Sequence, residues 1–210
     1  LLAGKHVVVE KPFTVTVEEG KELIEFAKKQ NKKLSVYQNR RYDSDYKTIM
    51  KILDQNLLGD LVEAEFHFDR YSENLSPKVH KEVPGPGTGT LYDLGSHLID
   101  QALQLFGMPA AVFADIRIIR PISKVDDYFD LLLYLLKLGV RIKSSYQVRE
   151  PLTGYSLHGS KGSFIKPKTN IQGILLQQGI VPGSDGWGME PESERGLLHT
   201  EKDGKVIREY

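Results

Sequence analysis

The sequence predicts an α+β fold: a predominantly antiparallel sheet with helices on one face, preceded by a short βαβ unit. Two observations support this division. A strand, a helix and a second strand follow one another over residues 1–42. Beyond them, alternating strands and short turns dominate, with two amphipathic helices among them. We therefore expect a βαβ segment over residues 1–42 and an α+β domain over residues 43–210.

The βαβ segment is predicted from its apolar pattern. The run His6–Glu10 does not alternate, which is typical of a buried parallel strand. Thr16 and Glu19 form a capping box that predicts the start of a helix, and residues 34–38 form the second strand. One such unit is too small to stand alone as a doubly wound sheet. Because the chain also lacks an initiator methionine, we expect a fragment of a longer protein.

The α+β domain begins with a helix capped by Asp43 or Ser44. Residues 61–71 alternate, which favours a half-buried antiparallel strand, and a loop rich in proline and glycine over 72–90 leads into a helix over 93–106. A strand is predicted over 112–120. Three hairpins follow, with strands at 128–136 and 140–148, at 155–158 and 163–166, and at 197–200 and 205–209, whereas 167–196 reads as irregular.

Composition restricts the partners of the chain. Lysine plus arginine (28) balances aspartate plus glutamate (28), which argues against a nucleic acid or an anionic membrane as a partner. The absence of cysteine excludes disulfides and fits a cytoplasmic location. The apolar run at 131–136 is too short to cross a bilayer.

Asp93 and His97 are the first candidates for chemistry. They lie four residues apart, so a helix would place them on one face, as a device for proton transfer. The alternative is an acidic helix N-terminus with a histidine that happens to lie in register. A metal site that includes Asp100 is the least favoured interpretation, because no second histidine lies at ligand spacing, and we predict no metal.

Lys11 is the third candidate. It follows a predicted parallel strand, and open α/β sheets bind ligands beyond the carboxyl ends of their strands. Pro12 restricts Lys11 to an extended conformation. A lysine exposed at a strand end is the alternative interpretation.

Three segments together resemble the glucose–fructose oxidoreductase / inositol dehydrogenase (Gfo/Idh/MocA) family. They are residues 3–12, which contain Glu-Lys-Pro, residues 38–43, and residues 91–100, which contain Asp-x-Gly-x-His-x-x-Asp. The hairpin around residues 159–163 also matches the later strands of that family. The order and spacing of these segments agree along most of the chain.

The resemblance implies an NAD(P)-dependent oxidoreductase that acts on a sugar or polyol and forms a homo-oligomer through the open face of its sheet. Lys11, Asp93 and His97 would be the catalytic set: Lys11 would hold the substrate oxygen, His97 would act as a base that titrates near neutrality, and Asp93 would orient it or relay the proton. NAD or NADP would contact Glu10, Lys11, Pro12 and Arg40, and the substrate would contact Lys11, Tyr92, Asp93, His97 and Tyr146.

The chain departs from the family in two respects, one of which is that the final helix expected after Tyr210 is absent. The Gly-x-Gly-x-x-Gly loop and the acidic residue that binds ribose are absent, so most of the Rossmann domain is expected to be missing and the chain alone to bind NAD(P) poorly. Two alternatives remain open: a non-catalytic module for oligomerisation or ligand binding, and an NAD-dependent glycosidase on the same fold.

Overall fold

The first unit of the fold is a two-stranded parallel sheet with one helix. The computed structural model describes residues 1–78 and 81–210. Strands β1 (Val7–Glu10) and β2 (Leu34–Tyr37) pair in parallel, and helix α1 (Val17–Lys29) connects them. The predicted capping box is present, since the Thr16 side chain accepts from the backbone of Glu19 and the Glu19 side chain accepts from that of Thr16. The prediction of a buried β1 is wrong: Val7 and Val9 are only half-buried and Val8 is 70% exposed. In the described chain β1 pairs with β2 alone, and this small sheet buries none of its residues fully.

The second unit contains the remaining helices and strands. A 3₁₀ turn (Asn39–Tyr42) leads into α2 (Ser44–Asp54), and β3 (Leu61–His67) follows. A single turn of π-helix (Leu91–Gly95) runs directly into α3 (Ser96–Phe106). The remaining elements are β4 (Ala111–Arg117), β5 (Tyr128–Tyr134), β6 (Gly139–Ser145), β7 (Tyr155–Gly159), β8 (Gly162–Lys166), α4 (Ile171–Gln177), a 3₁₀ turn (Glu192–Glu194), β9 (Leu197–Lys202) and β10 (Lys205–Glu209).

Eight strands form one sheet in the order β10-β9-β8-β7-β3-β6-β5-β4. All neighbours are antiparallel except β3 and β6, which are parallel. The prediction for β3 is therefore only half right: alternation shows that one face of a strand is buried, and it carries no information about the direction of the partner. The three predicted hairpins are all present as β5–β6, β7–β8 and β9–β10.

Helices α2 and α3 cover one face of this sheet, as the sequence predicts. Ile49 of α2 and Leu98 and Ala102 of α3 are buried against Ala64 and Phe66 of the central strand. This packing excludes water from the middle of the sheet and fixes α3 across it. The opposite face has no helix over it in the described residues.

One prediction from local sequence fails. Helix α4 lies inside the region expected to be irregular, and its seven residues include a glycine, so its pattern is too short to detect. The loop predicted over 72–90 includes residues 79–80, which lie outside the described residues. No helix in the described part of the chain has the length and apolar character needed to cross a membrane.

Candidate active site

Lys11, Asp93 and His97 line the same cavity, which has a volume of about 400 Å³. Lys11 follows the carboxyl end of β1, Asp93 lies on the π turn, and His97 lies in the first turn of α3. The two units of the fold therefore both contribute to the cavity wall. Lys11 joins the two units directly, because its Nζ atom donates to the Asp93 carboxylate at 3.0 Å. Within the second unit, Arg41 donates to both carboxylate oxygens of Asp100 at 2.6 and 2.7 Å.

Asp93 is held by two lysines. Its Oδ1 atom accepts hydrogen bonds from Lys11 Nζ at 3.0 Å and from Lys81 Nζ at 2.5 Å, and Lys11 Nζ also donates to the Asp93 backbone oxygen at 2.5 Å. Burial by itself would raise the pKa of Asp93, but the hydrogen bonds from Lys81 and Lys11 outweigh it and lower the pKa to about 2. Burial lowers the pKa of Lys11, and its hydrogen bond to Asp93 opposes that shift only in part. The cluster thus contains two ammonium groups and one carboxylate.

His97 is buried, with 5% of its surface exposed, and it lies next to this cationic cluster. Burial lowers its pKa to about 3, and the positive charges of Lys11 and Arg40 add to that shift. Its Nδ1 atom is buried and has no hydrogen-bond partner among the described residues. The prediction of a histidine that titrates near neutrality is therefore wrong. In this structure, no hydrogen bond joins His97 to Asp93, because the lysines already engage that carboxylate.

The start of the helix is set by Asp126. Its Oδ2 atom accepts from the Leu91 backbone at 2.7 Å, and its backbone oxygen accepts from Thr90 at 2.8 Å. Gly89 adopts φ +91°, and a Cβ atom there would lie 1.9 Å from Asp126 Oδ1. The sequence predicted an α-helix from Asp93, whereas the structure has a π turn at 91–95. Such turns insert an extra residue into a helix and so rotate Asp93 relative to His97.

The two tyrosines predicted to bind substrate differ in position. Tyr146 lines the cavity, as the prediction requires. Tyr92 lines a smaller neighbouring cavity of about 230 Å³ that also contacts Lys11 and Asp93, and its hydroxyl donates to the Val15 backbone oxygen at 3.3 Å. Tyr92 therefore lies behind the catalytic candidates and not in the main cavity.

Arg40, Arg70 and Arg120 line another part of the cavity wall, and the rings of Phe68 and Tyr146 lie between them. The guanidinium carbons of Arg40 and Arg70 lie 4.9 and 5.0 Å from the centre of the Phe68 ring. Those of Arg70 and Arg120 lie 6.0 and 4.6 Å from the centre of the Tyr146 ring. We call this set the arginine–aromatic row; its contacts are within the range of cation–π interactions.

The residues expected to contact a cofactor surround the ends of the parallel strands. Glu10 and Pro12 flank Lys11, and Arg40 lies beyond β2. The Arg40 Nε and Gln38 Oε1 atoms are buried without partners among the described residues. A buried guanidinium N–H and amide oxygen that lack partners fit a polar ligand such as a nicotinamide dinucleotide. Asp100, the third member of the alternative metal site, is instead paired with Arg41.

Comparisons with known proteins agree with this architecture. The profile of the GFO/IDH/MocA C-terminal domain matches residues 46–165, and that of the oxidoreductase family with an NAD-binding Rossmann fold matches residues 1–38. The chain belongs to the Gfo/Idh/MocA family. This result confirms the resemblance on which the assignment of the three motifs depends.

Several relatives align along nearly the whole chain of this Gfo/Idh/MocA member. The scyllo-inositol 2-dehydrogenase (NADP(+)) IolW of Bacillus subtilis is 41% identical over 94% of the chain and 55% of its own length. The oxidoreductase YhhX of Escherichia coli is 39% identical over 100% of the chain and 59% of its own length. A crystal structure of a Bacteroides fragilis protein described as an oxidoreductase superposes with a TM-score of 0.88 at 48% identity, over 99% of the chain and 59% of that protein. The chain thus spans somewhat more than half the length of these relatives.

Reasoning from sequence missed six charged residues that line this cavity of the Gfo/Idh/MocA member: Arg70, Lys78, Lys81, Glu82, Arg120 and Asp126. All of them lie outside regular helices and strands. Long-range packing alone brings them to the cavity, as for Lys81, which contacts Asp93 from the loop. The sequence contained no periodic signal that could have identified them.

Proposed function

We propose that the full-length protein containing this chain is an NAD(P)-dependent dehydrogenase that oxidises a secondary hydroxyl of a sugar or polyol. In this proposal the chain provides the catalytic and substrate-binding part. The observation that carries the proposal is the convergence of Lys11, Asp93 and His97 on one polar cavity. The name of the IolW relative supports a polyol as the substrate class.

Lys11 is proposed to bind the reacting oxygen. An ammonium group has three N–H donors, and Asp93 accepts two of those of Lys11. The third is available to the substrate hydroxyl. As the hydroxyl loses its proton, the positive charges of Lys11 and Lys81 stabilise the developing alkoxide. Asp93 acts here by positioning Lys11, since its carboxylate does not contact His97.

His97 is proposed to accept the hydroxyl proton. Its low pKa keeps the ring neutral at physiological pH, so its lone pair is available. A histidine with a pKa of about 3 is a weak base in water. However, the positive charges of Lys11 and Lys81 also lower the pKa of a hydroxyl bound beside Lys11, which favours transfer of its proton.

The cofactor is proposed to be NAD or NADP, held in part by Glu10, Lys11, Pro12 and Arg40. When bound, it supplies the acceptor for the hydride that leaves the substrate carbon. The orphaned Arg40 Nε and Gln38 Oε1 atoms support a polar ligand at the ends of β1 and β2. Tyr146 is retained as a substrate contact, whereas Tyr92 is better placed to support Lys11 and Asp93 from behind.

The experiment is a rate measurement on the full-length protein with NAD⁺ and NADP⁺ over a panel of polyols, sugars and glycosides. We expect Lys11→Met and His97→Gln each to lower kcat by roughly 10²–10⁴-fold, the usual range for loss of a positioned acid or base. Lys137→Met, at the exposed turn between β5 and β6, is the matched control. Near-normal turnover in either active-site variant would remove that residue from the mechanism. Release of a free aglycone from glycosides without net cofactor reduction would instead support the glycosidase alternative.

The open face of the sheet is proposed as the contact surface of a homo-oligomer. The row across its middle contains Phe113, Leu132, Ile165 and Leu197, interrupted by an ion pair between Arg141 and Glu65. Phe113 is 59% exposed at one end of this row. An apolar row with a charged pair at its centre fits a self-complementary interface.

A further inference from the structure

The arginine–aromatic row contains one guanidinium that no carboxylate neutralises. Arg40 pairs with Asp43 at 2.9 Å, and Arg120 pairs with Asp127 at 2.8 Å and with Glu82 at 3.4 Å. Within the part of the chain that the structure describes, no aspartate or glutamate forms an ion pair with Arg70, which lies between them. Its charge therefore faces the cavity without an internal counter-ion.

Arg70 is also held in place by its neighbours. Its guanidinium lies over both Phe68 and Tyr146, at 5.0 and 6.0 Å from their ring centres. Its backbone N–H donates to the Ser145 oxygen at 2.8 Å, just beyond the end of β3. Contacts with two rings restrict the guanidinium, although Arg70 as a whole is exposed to solvent. A restricted arginine loses less conformational entropy on binding than a mobile one.

We propose that Arg70 is the anion-recognition residue of this cavity, and that the substrate is a sugar or polyol carrying a carboxylate or phosphate group. Planar guanidinium groups bind both anions through paired hydrogen bonds. Arg70 lines the same cavity as Lys11 and His97, so one ligand can contact all three. A volume of about 400 Å³ is within the range of pockets that hold a single small molecule.

The ion pairs of the neighbouring residues support this division of roles. Arg40 and Arg120 are already hydrogen-bonded to carboxylates, so they provide a fixed wall. Lys11 and Lys81 share the carboxylate of Asp93 at the reacting end. An anionic group of the substrate bound at Arg70 would therefore lie apart from Lys11, Lys81 and Asp93. The inference rests on the proposed dehydrogenase function and adds to it the charge of the substrate.

The test compares matched neutral and anionic ligands in the full-length protein. The ligands are D-glucose, D-glucuronate and D-glucose 6-phosphate, together with myo-inositol and myo-inositol 1-phosphate. Dissociation constants are measured by calorimetry, and kcat/KM is measured where a ligand is turned over. We expect at least one anionic ligand to bind about 10- to 100-fold more tightly than its neutral counterpart, as for a hydrogen-bonded ion pair. Carboxylate and phosphate ligands form separate arms, so the preferred anion is identified directly.

Two substitutions of Arg70 and one control define the outcome. Arg70→Gln should lower affinity for the anionic ligand to about that for its neutral counterpart, and Arg70→Lys should restore part of the preference. Arg149→Gln is the matched control, because Arg149 also stacks on an aromatic ring, Tyr71, at 3.8 Å, but does not line this cavity. This variant should retain the full preference.

Three results would overturn the proposal. The first is equal binding of every neutral and anionic pair by the unmodified protein, and the second is an anion preference that survives Arg70→Gln. A third would be an effect of Arg70→Gln on the KM of NAD⁺ or NADP⁺ alone, which would assign Arg70 to the cofactor. Calorimetry needs no turnover. Tight binding of an anion without oxidation would therefore contradict the dehydrogenase function while supporting the anion site.

Discussion

His97 is a neutral side chain in a cationic environment, and this has a consequence for stability. Its pKa is about 3 in the folded protein, compared with 6.5 for an ordinary histidine. Between these values the unfolded chain binds a proton that the folded protein does not. Stability therefore rises with pH across this window and is lost as the pH falls through it, by about 1.4 kcal/mol per pH unit from this one group.

Comparison of the protein with a His97→Gln variant isolates that contribution. Between pH 4 and pH 6.5, the free energy of unfolding measured in urea should depend more steeply on pH for the unmodified protein. The difference in slope should correspond to one bound proton. Above pH 7 the two pH profiles should run in parallel. Equal slopes throughout the acidic window would show that His97 binds a proton in the folded state and is not held neutral. This range also avoids the titration of Asp93, whose pKa of about 2 lies below it.

Lys81 acts on both of its neighbours in the cationic cluster, Lys11 and Asp93. Its hydrogen bond is the largest influence that lowers the pKa of Asp93, and its charge lowers the pKa of Lys11. Lys81→Met should therefore raise both pKa values. It should also reduce kcat/KM by about tenfold to a hundredfold, because less positive charge remains to stabilise the alkoxide. Acylation of Lys11 as a function of pH, followed by mass spectrometry of the full-length protein, measures the shift in Lys11 directly.

Two further variants support the interpretation of Lys81. Lys81→Arg retains the positive charge near Asp93 and should recover much of the activity. Lys124→Met changes an exposed lysine that does not contact Asp93, and it should leave the acylation profile of Lys11 unchanged. Lys11 acylation that is identical in Lys81→Met and in the unmodified protein would contradict the proposed coupling.

At the scale of elements, the π turn at 91–95 connects sequence to site geometry. Asp126 fixes this turn, and only glycine fits at residue 89 beside it. Gly89→Ala should displace the Asp126 carboxylate, destabilise the protein by roughly 1–3 kcal/mol and lower kcat, because Asp93 and His97 would move. Thermal and urea unfolding measure the first effect, and the polyol assay measures the second.

Gly87→Ala is the control for Gly89→Ala. Gly87 also has a positive φ, of +75°, but a Cβ atom there would meet Val15 and Tyr92 at 3.4 and 3.9 Å, which are ordinary contact distances. It should therefore show the cost of the backbone conformation without the clash against Asp126. Equal losses of kcat in the two variants would mean that Asp126 does not position the site.

The elements differ in how far sequence could predict them. Thr16 and Glu19 define the start of α1 because a capping box is a local interaction, and the structure contains it. The π turn was not predicted, since it depends on Asp126, a residue 35 positions away from Leu91 in the chain. The spacing of Asp93 and His97 was enough to select them as candidates. It could not predict which residues each of them contacts, because those residues come from other segments of the chain.

At the scale of the whole molecule, alternation and turns were enough to predict a mainly antiparallel sheet with helices on one face. They did not specify that β3 and β6 are parallel, because that pairing follows from how the loop and α3 return the chain to the sheet. Nor could they place Arg70 and Lys81 at the cavity. These residues reach it through packing between distant segments, and periodicity in one segment contains no information about another.

The open face of the sheet leads to a prediction about assembly. If this face joins two copies, a charge at its apolar end should separate them, because a buried carboxylate without a partner is costly in an interface. Phe113→Glu in the full-length protein should therefore lower the mass measured by sedimentation equilibrium. Leu136→Glu is the control, since Leu136 is also apolar and exposed but lies in the turn between β5 and β6 and not in the row across the open face. If the Phe113→Glu variant keeps the mass of the unmodified oligomer, or if the unmodified protein is already monomeric, the open face is not the subunit interface.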